Sequence, residues 1–265
     1  MEKQLQFGNN TISYYIHGNG QPVILLHGFG EKSSVWDSQV TALAPAYKLI
    51  IPELPGAGDS TPAEDVSMEA LAEMVHAIVN VETGADEKII LLGHSMGGYV
   101  TLAFAEQYES RLRAFGLIHS ACFADSDEKK DTRRKGIRFI TDNGAAAFLN
   151  TTSPNLFSPD TKEKSPELIT SFLAGVSDLQ DQQLIRFYEA MMQRPDRSNV
   201  LKETRLPVLF VLGRHDNAIP IKDGLKQTTF PELSYIHVLE HSGHMGMLEE
   251  KDNLNRILSD FLQAV

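Results

Sequence analysis

The chain reads as an α/β protein: a mostly parallel sheet of about eight strands, flanked by helices, with an all-helical segment inserted between two strands. Three observations predict this. Short apolar runs such as Val23–Leu26, Ile89–Leu92 and Val208–Leu212 have the length and all-apolar character of strands buried on both faces. Helical patterns alternate with those strands through the first half of the chain. From 124 to 205 the alternation stops, and only helical patterns separated by Pro and Gly remain.

The elements follow in order. Leu5–Phe7 and Thr11–Ile16 are predicted strands joined by Gly8-Asn9-Asn10, residues that tolerate positive φ, so this is a hairpin. After the Val23–Leu26 strand, Val35, Trp36, Val40 and Leu43 mark one face of a helix starting at Ser33 and closed by Pro45. Tyr47–Ile51 is a strand, and Pro52 to Ser60 is loop. Ser67 caps a second helix, with Leu71, Met74, Val75, Ile78 and Val79 on one face. Ile89–Leu92, a helix from Met96 to Gln107 and a strand Leu112–Ile118 complete the first half. The insertion holds helical candidates at Glu128–Ile140, Ala145–Leu149, Pro166–Leu173 and Leu179–Met192. Strands resume at Val208–Leu212 and Tyr235–Leu239, and a last helix spans Lys251–Leu262. The expected organisation is a core of 1–123 and 206–265 with a helical cap, 124–205, over one end of the sheet.

Composition narrows the partners. The 265 residues carry 24 Lys+Arg against 35 Asp+Glu, a net charge of −11. Such a balance argues against nucleic acid, which needs a basic face, and against anionic membranes. The cap is neutral, with 13 basic and 13 acidic residues, so the core carries the whole excess of acid. The single cysteine, Cys122, excludes an intramolecular disulfide and a four-cysteine metal site. No apolar run approaches the ~18 residues of a membrane span, and the N-terminus lacks the apolar stretch of a signal peptide. A cytoplasmic location is the expectation.

The most informative residues are Gly93-His94-Ser95-Met96-Gly97-Gly98, a G-x-S-x-G sequence lying between a predicted strand and a predicted helix. In that context the serine sits on a sharp turn that lifts its hydroxyl clear of the sheet, and the glycines avoid collisions with the neighbouring elements. A plain glycine-rich turn is the competing reading. At this point the chain resembles the α/β-hydrolase family over nearly its whole length. His27-Gly28-Phe29-Gly30 is similar to the family's oxyanion loop, and Leu54-Pro55-Gly56-Ala57-Gly58-Asp59-Ser60 to its L-P-G-x-G-x-S stretch. Gly93–Gly98 resembles the nucleophile elbow, Gly213-Arg214-His215-Asp216 the acid loop, and Ser242-Gly243-His244 the histidine loop. One departure is Glu53, where relatives usually carry Asp; no role is assigned to it.

The resemblance implies a Ser95–His244–Asp216 triad, with the backbone N–H groups of Phe29 and Met96 as oxyanion donors. The chemistry needs these types. A serine hydroxyl requires a base, histidine titrates near neutrality, and a buried carboxylate fixes the imidazole tautomer. His244 is preferred to His241 because it follows Gly243 just past a strand, and a metal pair formed by the two has no supporting cluster. Asp125, just past the Leu112–Ile118 strand, is the rival acid, since some relatives carry the acid there. Otherwise it begins the cap as a solvated carboxylate. His27 and His94 read as loop-shaping hydrogen bonders. The run Lys129, Lys130, Arg133, Arg134, Lys135, Arg138 reads as a solvated helix face. Among the cap aromatics and methionines, Phe139, Phe148, Phe187 and Met191 are the candidates for an apolar acyl pocket.

The implied activity is hydrolysis of a small or medium apolar ester through an acyl-enzyme, without metal or organic cofactor. Carbon–carbon bond hydrolases, lactonases and perhydrolases use the same triad and stay open, although perhydrolases often carry Trp where Phe29 stands. A slow-turnover ligand sensor of the same fold is the alternative from a different class.

Overall fold

The computed structural model describes all residues, Met1–Val265. Eight strands form one sheet: β1 (Glu2–Phe7), β2 (Asn10–His17), β3 (Pro22–Leu26), β4 (Lys48–Pro52), β5 (Ile89–His94), β6 (Leu112–Ile118), β7 (Val208–Gly213) and β8 (Ser234–Leu239). Their spatial order is β1-β2-β4-β3-β5-β6-β7-β8. The β1–β2 hairpin pairs antiparallel, β2 also meets β4 antiparallel, and every other pair is parallel. Gly8 takes φ +58° in the hairpin turn, as Gly-Asn-Asn there leads one to expect.

The all-apolar strands are buried from end to end, and successive residues feed opposite faces. Ile24, Leu26, Ile50, Ile89 and Leu91 enter a core of 33 buried residues on one side. Val23, Leu25, Leu49, Ile51, Ile90 and Leu92 enter a core of 31 on the other. A period of two with no polar face is what a sheet covered on both sides requires.

Helices supply the covering layers: α1 (Asp37–Leu43), α2 (Met68–Glu82) and α3 (Met96–Tyr108) within the first half, and α4 (Asp127–Asn143), α5 (Ala145–Thr152), α6 (Pro159–Lys164), α7 (Pro166–Gly175), α8 (Asp181–Gln193) and α9 (Ser198–Glu203) between β6 and β7. The chain ends with α10 (Ile221–Gln227), α11 (Gly246–Glu249) and α12 (Lys251–Ala264). Ser67 caps α2 by accepting from Ala70 N–H at 3.2 Å. The helix expected from Ser33 is divided: Ser33–Trp36 is a 3-10 turn, and the α-helix begins at Asp37. The short α6 and α9 lie in stretches where six residues leave no room for apolar periodicity to register.

The insertion is tied to the core by charge as well as packing. The buried Arg197 side chain joins Glu106 at 3.0 Å and also Glu69. Lys32 meets Asp178 at 2.6 Å, and Arg186 donates to the Ala63 carbonyl at 2.9 Å. Arg197 and Arg186 thus reach from the insertion to the core, while Asp178 of the insertion takes a core cation, Lys32.

The strand order places the site. β3 is followed by β4 on one side, while β5 pairs with β3 on the other, so the loops leaving β3 and β5 diverge. Ligands in open α/β sheets settle in such a crevice at the carboxyl ends of the strands. His27–Glu31 leaves β3 there and Ser95 leaves β5.

The turn after β5 is held by steric necessity. A Cβ on Gly93 would collide with the Gly97 carbonyl, one on Gly97 with the Leu26 carbonyl, and one on Gly98 with the Ser120 side chain. Gly93→Ala is therefore expected to destabilise the fold by about 1–3 kcal/mol through overpacking. Gly84→Ala, whose Cβ meets only Glu87 at 3.8 Å, should be neutral or slightly stabilising. Thermal midpoints of the two variants check the contrast.

Candidate active site

Ser95 sits between β5 and α3 with φ +51° and ψ −114°, a strained conformation for a residue with a side chain. Its N–H donates to the Ile118 carbonyl at 2.9 Å, and its carbonyl accepts from Ser120 Oγ at 2.7 Å. The neighbouring strand and loop thus fix both ends of the turn, leaving the hydroxyl to face the crevice.

The three residues named from the sequence come together. His244 Nε2 lies 2.9 Å from Ser95 Oγ, and its Nδ1 lies 2.8 Å from Asp216 Oδ2. Asp125, the rival acid, is elsewhere. Asp216 follows β7, and its second oxygen, Oδ1, accepts from the N–H groups of Ala218 and Ile219, each at 2.8 Å. Burial alone would raise the Asp216 carboxyl, but the His244 and His119 imidazoles and their hydrogen bonds outweigh it and hold the group well below the usual carboxylate range. His244 is placed from the cap side as well, its N–H donating to the Leu156 carbonyl at 2.6 Å.

The N–H of Met96 is the first of α3 and so has no acceptor within the helix. The Phe29 N–H, in the loop after β3, donates to no backbone carbonyl. The two N–H groups named from the sequence as oxyanion donors thus have no backbone acceptor, and the positive end of α3 lies at Met96.

Two buried titratable residues that sequence reasoning did not single out, His119 and Glu31, lie close to Ser95, His244 and Asp216. His119 follows β6 at φ +49°, with Nδ1 3.3 Å from Asp216 Oδ2 and Nε2 unpartnered against Gly246. Burial pushes its pKa down to about 4, against smaller raising effects of Asp216. A titratable side chain at the carboxyl end of a parallel strand was a signal that could have found it. His94 is also fully buried, yet its shift is opposite. Burial disfavours its charge, but Glu31, 2.9 Å from Nδ1, overrides this and raises it. His94 Nε2 donates to the His244 carbonyl at 2.9 Å, while Glu31 accepts from Gly28 N–H at 2.7 Å. The pair thereby links the loop after β3 to the histidine loop. His27 does shape its loop, accepting from Leu54 N–H through Nε2 at 2.9 Å.

Other expectations need correction. Asp125 is not a solvated carboxylate: it is buried and paired with Arg133 at 2.6 Å and Arg194 at 2.9 Å. The basic run is not wholly a solvated face either, because Lys129 and Arg133 turn inward and line the cavity over Ser95. Glu53 has a structural role, accepting from Ser33 N–H at 3.0 Å and Ser33 Oγ at 2.5 Å at the start of the 3-10 turn. His241 is exposed whereas His244 is buried. The ligand-type atoms of His119, Asp216 and His244 do lie within 4.8 Å of one another. Asp216, however, is occupied by two backbone N–H groups and two imidazoles, and His244 Nε2 faces Ser95.

Of the four pocket candidates only Met191 lines the cavity over Ser95, which encloses about 130 Å³. Phe139 and Phe148 line a separate groove of about 400 Å³ on the cap. Phe187 packs into the core beneath the cap, beside the loop holding Gly28 and Gly30. Tyr188 borders both spaces and stacks on Phe29, ring centroids 4.2 Å apart and 7° from parallel. These side chains were candidates because they are large and apolar and lie in the cap, but which neighbour each faces depends on how α4, α5 and α8 cross.

The low pKa of His119 has a definite sign for stability. Between pH 6.5 and about 4 the unfolded chain binds a proton here that the folded chain refuses. Stability therefore rises with pH across that window, by an amount on the order of 3 kcal/mol. His119→Asn should flatten the slope, as read by urea unfolding at pH 7 and pH 5. An unaltered slope would show that His119 does not titrate as described.

The alpha/beta hydrolase family model matches residues 23–257. Among known proteins, a 2-hydroxy-6-oxononadienedioate/2-hydroxy-6-oxononatrienedioate hydrolase of Pseudomonas putida is 25% identical over 259 residues, covering 92% of this chain and 88% of that protein. The dihydrolipoyllysine-residue acetyltransferase component of the acetoin cleaving system of Pseudomonas putida is 30% identical, covering 98% of this chain and 69% of that protein. Among solved structures, a thermophilic esterase from Thermogutta terrifontis, with malate bound, has a TM-score of 0.92 at 26% identity over 100% of this chain and 98% of that one. The enol-lactonase from Burkholderia xenovorans has a TM-score of 0.90 at 21% identity, covering 98% of this chain and 100% of that one, a likeness of fold. No helix is long and apolar enough to cross a membrane. The sequence motifs, the sheet order and the family match agree: this chain belongs to the alpha/beta hydrolase family.

Proposed function

We propose that the chain is a serine hydrolase that cleaves small or medium carboxylic esters through an acyl-enzyme. One observation carries the reading: a single imidazole, His244, reaches Ser95 Oγ at 2.9 Å through Nε2 and Asp216 at 2.8 Å through Nδ1. With Asp216 accepting a hydrogen bond from Nδ1–H, the proton stays on Nδ1 and the Nε2 lone pair is left for the serine hydroxyl.

The steps follow from that tautomer. Ser95 Oγ attacks the ester carbonyl as its proton passes to His244 Nε2, and the carbonyl π electrons move to oxygen. The oxyanion is held by the Phe29 and Met96 N–H groups; one such donor is typically worth ~100–1000-fold in rate. Collapse breaks the bond to the alcohol, which takes the proton from Nε2. Water then attacks the acyl-enzyme with His244 again as base, releasing the acid and restoring Ser95. Asp216 stabilises the imidazolium at each stage. The Thermogutta terrifontis esterase, similar along the whole chain, supports ester cleavage.

A second reading is favoured by the relatives. Several are hydrolases of 2-hydroxy-6-oxo dienoates, so carbon–carbon bond cleavage by the same three residues is the competitor. Comparing kcat/KM for short-chain p-nitrophenyl esters with that for 2-hydroxy-6-oxo-6-phenylhexa-2,4-dienoate separates the two.

Ser95→Ala should lower kcat by ~10³-fold or more on whichever substrate is turned over, with little change in thermal midpoint. Asp216→Asn should cost ~10⁴-fold by presenting the wrong tautomer. A Ser95→Ala protein with wild-type activity would remove Ser95 from the mechanism.

A further inference from the structure

The cavity over Ser95 has a charged wall. Phe29, Leu156, Tyr188, Met191 and Ile219 give it an apolar lining, but Lys129 and Arg133 line it too. These two are four residues apart on α4 and so project from one face of the helix. Of the other four members of the same basic run, Arg134, Lys135 and Arg138 are exposed and Lys130 is half-buried.

The cations here outnumber the anions available to them. Arg133 gives Nε to Asp125 at 2.6 Å and Nη2 to the same carboxylate at 3.4 Å, which leaves Nη1 free of that partner. Asp125 is simultaneously held by Arg194, whose guanidinium lies 3.8 Å from the centre of the Tyr99 ring. One buried carboxylate therefore serves two guanidiniums. Lys129 has no carboxylate partner at all; its Nζ donates to the Ala218 carbonyl at 3.1 Å, with two protons remaining.

The other carboxylates around the cavity are already committed. Glu31 is paired with His94, and Asp216 with His244 and His119. Tyr99, on the cavity wall, responds to the excess: burial would raise its hydroxyl, but Arg194, Lys129 and Arg133 outweigh that and lower it. Unneutralised cations beside aromatic and aliphatic walls are costly unless an anion joins them.

We propose that Lys129 and Arg133 form a carboxylate-binding subsite, so that the preferred substrate is an ester or other acyl compound carrying a free carboxylate in the part that enters this cavity. The proposal rests on Ser95 being the nucleophile, and it revises the expectation of an apolar substrate. An ammonium and a partly free guanidinium suit a carboxylate, which can accept charge-assisted hydrogen bonds from both. In a cavity of about 130 Å³ the acyl portion must be short.

Monomethyl and dimethyl esters of succinate, glutarate and adipate test this, with hydrolysis followed by pH-stat. For at least one chain length, wild-type kcat/KM should favour the monoester anion by ~10-fold or more, the scale of one charge-assisted hydrogen bond. Lys129→Met leaves the Asp125 pairs intact and should collapse that preference ~10-fold, chiefly through KM. Arg133→Met should do the same, and Arg134→Met, altering an exposed neighbour, should not. Wild-type preference for the diesters throughout, or a ratio that Lys129→Met and Arg133→Met leave untouched, would overturn the proposal. Calorimetric titration of Ser95→Ala protein with glutarate supplies a readout without turnover: binding is expected, weakened ~10-fold by adding Lys129→Met. Absence of binding in that titration counts against the subsite. If Ser95→Ala retains wild-type turnover while the monoester preference still depends on Lys129, the nucleophile assignment fails and the subsite stands.

Discussion

One buried carboxylate organises this molecule's functional end. Asp216 accepts from two consecutive backbone N–H groups on its own loop and faces two imidazoles on other loops. A charge in that position would be expensive without those donors. With them, the loop after β7 is closed, the carboxyl is kept ionised, and both His244 and His119 are oriented toward one point. Backbone contact reinforces the arrangement. A Cβ on Gly213 would collide with the Gly243 carbonyl, so the acid and histidine loops touch without intervening side chains.

The cap belongs to the same assembly. A Cβ on Gly243 would run into the Leu156 carbonyl, the group that also accepts from His244 N–H. Glu249, on α11, accepts from the N–H groups of Ser158 and Gly243, at 2.7 and 2.9 Å. The inserted segment therefore does two things at once. Its Ser153–Leu156 turn helps position the imidazole, and α4 supplies the cationic wall of the cavity. Any displacement of the cap would disturb the placement of His244 as well as the substrate space.

Much of this was legible in the sequence, and the reasons differ by residue. The G-x-S-x-G turn could be read from its glycines between a strand and a helix, and the acid and histidine loops from their resemblance to the family's motifs. The close backbone approaches at Gly93, Gly213 and Gly243 give those short motifs their physical reason. The succession of strands and helices along the chain followed from all-apolar runs alternating with helical periodicity; their order in the sheet did not. The cavity lining was another matter. Phe139, Phe148 and Phe187, expected to line the acyl pocket, face other neighbours, because helix crossing is settled by packing between segments far apart in the chain. Asp125 looked solvated since its partners are eight and sixty-nine residues away, in a basic run and at the end of α8. His119 was readable in principle from its place at the end of β6, and no motif drew attention to it.

The account stands on the tautomer that Asp216 imposes on His244, and nitrogen chemical shifts of the histidine ring measure it directly. With ¹⁵N-labelled histidine, and His244 assigned by comparison with a His244→Gln protein, the neutral ring should carry its proton on Nδ1, leaving Nε2 bare. In Asp216→Asn protein that preference should be lost. A neutral His244 protonated on Nε2 in the unaltered protein would contradict the account, because no lone pair would then face Ser95.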